Sequence, residues 1–264
     1  MAEESLEQEV QFYQQAIMEA VARVDPRFSW TDEVPKLVAR FDTLAQDDLT
    51  SFRRLCARLL EDERREVRLG AMELIRLCSI QKDHVLSVIL VQIALKQKDV
   101  REEALFALWH VRTRSVLPQL LLFAEKGYSS ALYMVRPMLQ TPEEIERGIT
   151  IARNYIDAND YPLREAALFL LQRHSTMERE AERVLAAVQK YLDELFIDAL
   201  KKAPPELVLE PLKKLRSAFE GRHADFTRYA EYLDLSSAIE FLEQRVKNTF
   251  STSDPSNERE KPKG

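Results

Sequence analysis

The chain has 264 residues, enough for one large core, two domains or an extended array. Apolar residues make up 45% and charged residues 31%, and the formal net charge of −6 argues against a general binder of nucleic acid or anionic membrane. The five glycines, at 70, 127, 148, 221 and 264, are too scattered for a phosphate-cradling loop; this excludes nucleotide-binding fingerprints and points to short helix–helix connections rather than β-hairpins.

The N-terminus, MAEESLEQEV, is acidic and polar and reads as no secretory signal. Over 4–24, Leu6, Val10, Tyr13, Ile17, Val21 and Val24 recur at helical spacing opposite a Glu- and Gln-rich face. Such a helix suits the role of capping a helical array. A helix pair follows at 32–45 and 47–61. In its second member Phe52, Leu55, Cys56 and Leu59 form the apolar face, and Arg54 and Arg58 lie opposite, as candidates for contact with an acidic partner. Glu61 and Asp62, three and four residues beyond Arg58, could pair with it instead and leave a self-compensated solvent face.

The next pair is 64–79 with 83–96. Its longest apolar run, Val85 to Leu95, is much too short to span a bilayer. Cys56 and Cys78 have no metal or redox spacing and fall among apolar residues, so free buried thiols in a reducing compartment, the cytoplasm, are expected. In the pair 99–112 with 114–126, Val100, Ala104, Ala107, Leu108 and Val111 share one face and Glu102 and Glu103 the other. Trp109 sits roughly 180° from Val100 and should be partly exposed, which makes it the most informative candidate for a partner anchor. It could equally cover the side of a neighbouring helix. Phe106 and Phe169 occupy equivalent positions and read as lateral packing.

Further pairs are expected at 128–139 with 141–158, 160–173 with 175–189, 190–202 with 204–220, and 223–234 with 236–250. Thr141, Pro142 and Glu144 spell a capping box with proline at the first helical position, and Ser175 with Glu178 repeats the Ser/Thr-to-Glu spacing. Gly127 and Gly221 stand where left-handed residues would close helices. The tail STSDPSNEREKPKG, 251–264, has no apolar residue and reads as disordered.

Three stretches align without gaps: REVRLGAMELIRLC from Arg65, KDVREEALFALWHV from Lys98, and YPLREAALFLLQRH from Tyr161. Val67, Val100 and Leu163 coincide, as do Arg68, Arg101 and Arg164, then Ala71, Ala104 and Ala167, then Ile75, Leu108 and Leu171. The first two copies are 33 residues apart and the third follows after 63, nearly two periods, which marks a repeat architecture.

A Val-Arg pair, an Ala three residues on and an aliphatic four beyond that, followed by a second helix, resembles the HEAT repeat. The resemblance implies an all-α fold, an α-α superhelix (solenoid) of about seven antiparallel helix pairs. It would form one domain over 1–250, with repeats at 31–250. It also implies that second helices line the concave side, and that the arginines at 68, 101 and 164 meet an Asp near the turn in a ladder between repeats. Asp62, Asp99 and Asp160 lie nearby at unequal offsets.

No chemistry is written into the pattern. His84, His110, His174 and His223 are well separated, with no pair at i, i+4, and no GxSxG occurs, so no metal, cofactor or catalytic residue is expected. Like most HEAT-like arrays, the chain reads as a non-enzymatic scaffold for a protein or peptide, with Arg54, Arg58 and Trp109 as anchors and no membrane association. The alternative is a HEAT-like enzyme of the alkylpurine DNA glycosylase type. Its basic channel would have to come from the single local patch between Arg53 and Arg68, so nucleic acid is disfavoured.

Overall fold

The positions that coincide in the three aligned stretches are the ones that close the core. Val67 and Val100 are inaccessible and Leu163 nearly so, and Ala71, Ala104, Ala167, Ile75, Leu108 and Leu171 are all fully buried. The structure, a computed structural model, describes residues 3–23, 34–223 and 225–252. Among the described residues there are fourteen α-helices, three short 3-10 turns and no strand.

The helices are α1 (Glu3–Arg23), α2 (Val34–Asp47), α3 (Leu49–Leu60), α4 (Arg65–Leu77), α5 (His84–Lys96), α6 (Arg101–Val111), α7 (Leu117–Glu125) and α8 (Ser129–Val135). They continue as α9 (Pro142–Tyr155), α10 (Tyr161–His174), α11 (Met177–Tyr191), α12 (Glu194–Leu200), α13 (Pro205–Glu220) and α14 (Ala230–Thr252). They divide into two compact units, Met1–Met138 and Leu139–Gly264.

In the first unit α2, α4, α6 and α8 touch in succession, and α3 touches α5. The helix α1 lays Leu6, Val10, Tyr13 and Ile17 against α3 and α4. Val21 and Val24 of its sequence pattern fall outside the described side chains, as does the tail from 253. The intimate antiparallel contacts are α5 with α6 and α7 with α8, not α4 with α5 and α6 with α7 as the sequence pairing has it. Small buried residues on α5 and α6, namely Ser87, Ala94, Ala104 and Ala107, let these backbones close up. The Ser87 hydroxyl lies 2.7 Å from the carbonyl oxygens of both Asp83 and Val111 and accepts the Thr113 N–H at 3.1 Å. It therefore stitches the start of α5 to the end of α6.

The second unit pairs α9 with α10, α11 with α12 and α13 with α14, and cross-packs α11 on α13 and α12 on α14. The expected pairings of 160–173 with 175–189 and of 190–202 with 204–220 are thus replaced by contacts one helix out of phase, and two further expectations need correcting. The proposed hairpin 223–234 with 236–250 is one helix, α14, preceded by a 3-10 turn at Phe226–Arg228. Leu235, Ala238, Ile239 and Leu242 bury one uninterrupted stripe, so Ser236 sits inside the helix rather than capping a new one. Ser175 does not cap α11 either: Thr176 holds the N-cap position, and the Ser175 hydroxyl donates to Glu180 at 2.7 Å.

Of the other start and stop signals, those at Thr141 and Gly127 act as expected and that at Gly221 does not. Thr141 and Glu144 form a complete capping box at α9, behind Pro142. Gly127 takes a left-handed φ of 82°, a conformation that glycine adopts without a Cβ clash, whereas Gly221 is right-handed with φ −69°.

The three arginines that coincide in the aligned stretches each tie two separate segments together, two of them through an Asp and the third through a tyrosine. Arg68 donates through Nη1 to the carbonyls of Asp62 and Glu63 at 2.8 and 2.9 Å, and through Nη2 to the Asp99 carboxylate. Arg164 likewise takes the carbonyls of Ala158 and Asn159 at 2.9 and 3.1 Å and reaches Asp193 at 3.0 Å. Arg101 bonds the Ala94 carbonyl at 2.6 Å and meets the Tyr128 hydroxyl at 2.7 Å. Each guanidinium thus grips the turn before its own helix and the start of the next helix but one. The local acids Asp62 and Asp160 are not the carboxylate partners; Asp99 and Asp193, at the starts of α6 and α12, are, and Arg101 meets the Tyr128 hydroxyl at the start of α8 instead of an acid. Two further ties follow the same rule, Arg53 of α3 to Asp83 at the start of α5 (2.7 Å) and Arg153 of α9 to Glu180 in the first turn of α11 (2.6 Å).

Candidate functional site

Helix α3 opens on Asp48, whose carboxylate accepts the Ser51 N–H at 3.0 Å and the Ser51 hydroxyl at 2.7 Å. Its apolar residues Phe52, Leu55, Cys56, Leu59 and Leu60 are fully buried, so Arg54 and Arg58 point outward as the spacing predicts. Their compensation is not the predicted one. Both reach Glu3 in the first turn of α1, Arg54 in a direct hydrogen bond and Arg58 at 3.6 Å. Asp62 is already engaged at the α3–α4 turn, where it accepts the Arg64 backbone and guanidinium N–H groups at 2.8 and 2.9 Å and a Gln14 amide at 2.7 Å. The bond from the Arg64 side chain is the main reason its carboxyl is held below the usual carboxylate range.

The same holds along the whole basic run. Arg53 pairs with Asp83, Arg54 and Arg58 with Glu3, Arg64 with Asp62, Arg65 with Glu103, and Arg68 with Asp99. Each of the six arginines between residues 53 and 68 therefore has a carboxylate partner.

Trp109 lies on α6 and is partly buried, with the Arg112 guanidinium 4.5 Å above its ring. Arg112 also donates to the Trp109 carbonyl, which fixes the stack. One turn earlier on the same side stands Phe106, which the sequence reading assigned to lateral packing. It is 55% exposed instead. The reason is positional: α6 already buries Ala104, Leu105, Ala107, Leu108 and Val111, and Phe106 is only about 60° round the helix from Trp109, opposite that face. The signal was therefore present in the spacing that singled out Trp109.

Phe106 borders an open groove of about 720 Å³ between α4, α6 and α8. Leu69 and Met72 of α4 and Ala107 of α6 supply apolar lining, and Glu73, Glu102, Glu103 and Ser130 supply polar lining. Arg76 crosses from α4 with its guanidinium 5.6 Å above the Phe106 ring, and Glu73 holds it there by a bidentate pair, one bond of which is 2.5 Å. His110 meets the edge of Phe106 with centroids 6.4 Å apart. Burial, then the charges of Arg76 and Arg112, hold the His110 pKa below the ordinary imidazole value.

Further exposed apolar side chains, which the sequence reading did not single out, lie on α5 and on α7. Val85, Val88 and Leu95 of α5 are exposed, and Leu122 of α7 is 49% exposed. The clue was that α5 is apolar all round, which leaves one greasy side beyond what the core needs.

The two thiols sit apart from these surfaces. Both cysteines are free and buried; burial pushes Cys56 well above the ordinary thiol range and Cys78 up to about 11. Among the described residues no three His, Cys, Asp or Glu side chains converge as a metal site would need, and no helix is long and apolar enough to cross a membrane. Comparison of the chain with protein-family models, with curated proteins and with solved structures gave no match.

Proposed function

We propose that this chain is a non-enzymatic scaffold of HEAT-like repeats, stacked as an α-solenoid, that binds a protein or peptide partner. The observation that carries the reading is Phe106: a large aromatic, more than half exposed, bordering an open groove, with one guanidinium over its face and Trp109 a turn away. Aromatic and arginine side chains gathered at a concavity are the composition of interface hot spots. The repeat reading draws support from the guanidinium ties that recur at 68, 101 and 164, and from the layered succession of helices in the first unit. On this reading Arg54 and Arg58 serve chiefly to hold α1 through Glu3, and Trp109 with Phe106 forms the anchor. The reduced, buried thiols suit the cytoplasm.

The test is affinity capture with the wild-type chain against Trp109→Ala and Phe106→Ser, with melting followed in parallel. The expected result is loss of at least about tenfold in captured partner with melting nearly unchanged, since truncating a hot spot costs about 2 kcal/mol of binding or more. A large fall in melting temperature with capture intact would make both side chains structural. Retarded migration of duplex DNA at low salt, lost at high salt, would move the reading to the glycosylase-like alternative.

A further inference from the structure

The Trp109 end of the candidate site narrows the class of partner, on the reading above that the chain is a protein-binding scaffold. We propose that the Arg112–Trp109 pair at the end of α6 takes an acidic segment of a protein partner, with an Asp or Glu carboxylate against the Arg112 guanidinium and a flanking apolar side chain against Trp109 and Phe106.

Charge complementarity carries the choice. Arg112 directly follows the last residue of α6 and is partly buried. Within the chain it bonds the Trp109 carbonyl and stacks on the indole, its guanidinium carbon 4.5 Å from the ring centroid. Among the described residues no carboxylate pairs with it, in contrast to every arginine between 53 and 68. Burial, with no opposing charge beside it, holds its pKa below the ordinary guanidinium value. A cation drawn partly out of water without a counter-ion carries a desolvation cost, which an entering carboxylate offsets. Capping the end of α6 uses one of its N–H groups and leaves the others as a planar fork of the kind carboxylates bind. The Trp109 indole N–H is a second donor with no acceptor among the described residues. A Lys or Arg from a partner would meet like charge and donors only, which disfavours basic segments at this end. The acids further back on the same groove do not reverse the preference. Glu73 is paired with Arg76 and Glu103 with Arg65. Glu103 also precedes Arg112 by nine residues. At 1.5 Å per residue that is about 14 Å along the axis, beyond the screening length of about 8 Å at physiological salt. The apolar share of the contact comes from the Trp109 ring and from Phe106, which is 55% exposed.

The probe is a displayed library of random dodecapeptides panned on the full chain, the enriched peptides then being synthesised with a fluorescent label and titrated by anisotropy. The enriched pool should carry net negative charge, with Asp or Glu beside Leu, Ile, Met or an aromatic residue. Arg112→Gln keeps an N–H for the Trp109 carbonyl but loses the charge; it should weaken binding at least about tenfold with melting nearly unchanged. Changing the acids of a peptide to Asn and Gln should cost a similar factor against the unaltered chain, a readout that no folding defect of a variant can move. Those neutral peptides should no longer distinguish the unaltered chain from Arg112→Gln, and added salt should weaken only the charged complex. A neutral pool, acidic peptides indifferent to both changes, or no enrichment at all overturns the proposal. A basic pool that needs Trp109 and Phe106 sinks the charge assignment alone and leaves the scaffold reading standing. If acidic peptides bind through Arg112 while native partner capture ignores Trp109→Ala and Phe106→Ser, the peptide site stands and the scaffold reading fails there instead.

Discussion

Gly70 offers a sharp test of how α1 is seated. A Cβ built on Gly70 would lie 2.5 Å from Cγ2 of Ile17, 3.0 Å from Cγ1 and 3.1 Å from Cδ1. Ile17 is itself buried and β-branched, so it has little rotameric freedom with which to retreat. Two terms oppose each other in Gly70→Ala. Helix propensity favours alanine in the interior of α4 by about 1 kcal/mol. Overpacking against Ile17 costs about 1–3 kcal/mol. The net expectation is a loss of about 1 kcal/mol, measured by urea unfolding and by a fall of about 2–4 °C in melting temperature, the scaling for 150–250 residues. In an Ile17→Ala background the clash is gone and only propensity remains, so the same substitution should then stabilise by about 1 kcal/mol. The coupling between the two sites should therefore be near 2 kcal/mol. If Gly70→Ala stabilises the otherwise unaltered chain, α1 does not pack on α4 at this point and the reasoning is refuted.

Three further outcomes are expected. The Tyr13 hydroxyl is buried with no hydrogen-bond partner among the described residues, and burial drives the phenol well above its ordinary range; Tyr13→Phe should therefore raise stability by about 1 kcal/mol, and a loss of that size would show that the hydroxyl is satisfied. Ser87→Ala should cost about 1–3 kcal/mol in chemical denaturation, because the Thr113 N–H and the Val111 carbonyl lose their shared partner, and a neutral result would disprove that bridge. The Glu180 side chain is inaccessible and its burial alone would raise its pKa, yet the bonds from Arg153 and Ser175 bring it below the ordinary 4.5. A depressed carboxylate stabilises fully above that ordinary value and loses its contribution as pH falls through the native one. The advantage of wild type over Glu180→Gln, about 2 kcal/mol near pH 7, should thus shrink between about pH 5 and pH 3, and a pH-independent gap would contradict it.

Much of the secondary structure was legible because core positions repeat with the helical period. Val67, Ala71 and Ile75, or Val100, Ala104 and Leu108, declare a buried stripe without any tertiary knowledge. The pairing phase was not legible, since α4 could turn back on either neighbour and only the approach distances decide. The break expected near 235 came from extending the pair register along the chain, and the continued burial of Leu235, Ala238, Ile239 and Leu242 overrules it. At the candidate site Trp109 was readable from its angle on the helix, but Phe106 was masked by its analogy with Phe169. The groove, built by three helices distant in sequence, left no local trace. The long-range ion pairs were the least readable feature, because their partners stand as far apart as 27 residues for Arg153 with Glu180 and 51 for Arg54 with Glu3.

The guanidinium ties let one helix guard the entrance of the next but one. Arg68 belongs to α4 but secures the entrance to α6, and Arg164 belongs to α10 but secures the entrance to α12. Removing either arginine would therefore bare the entrance of a helix two elements further on, so the loss should be felt at α6 or α12 before it is felt in the arginine's own helix.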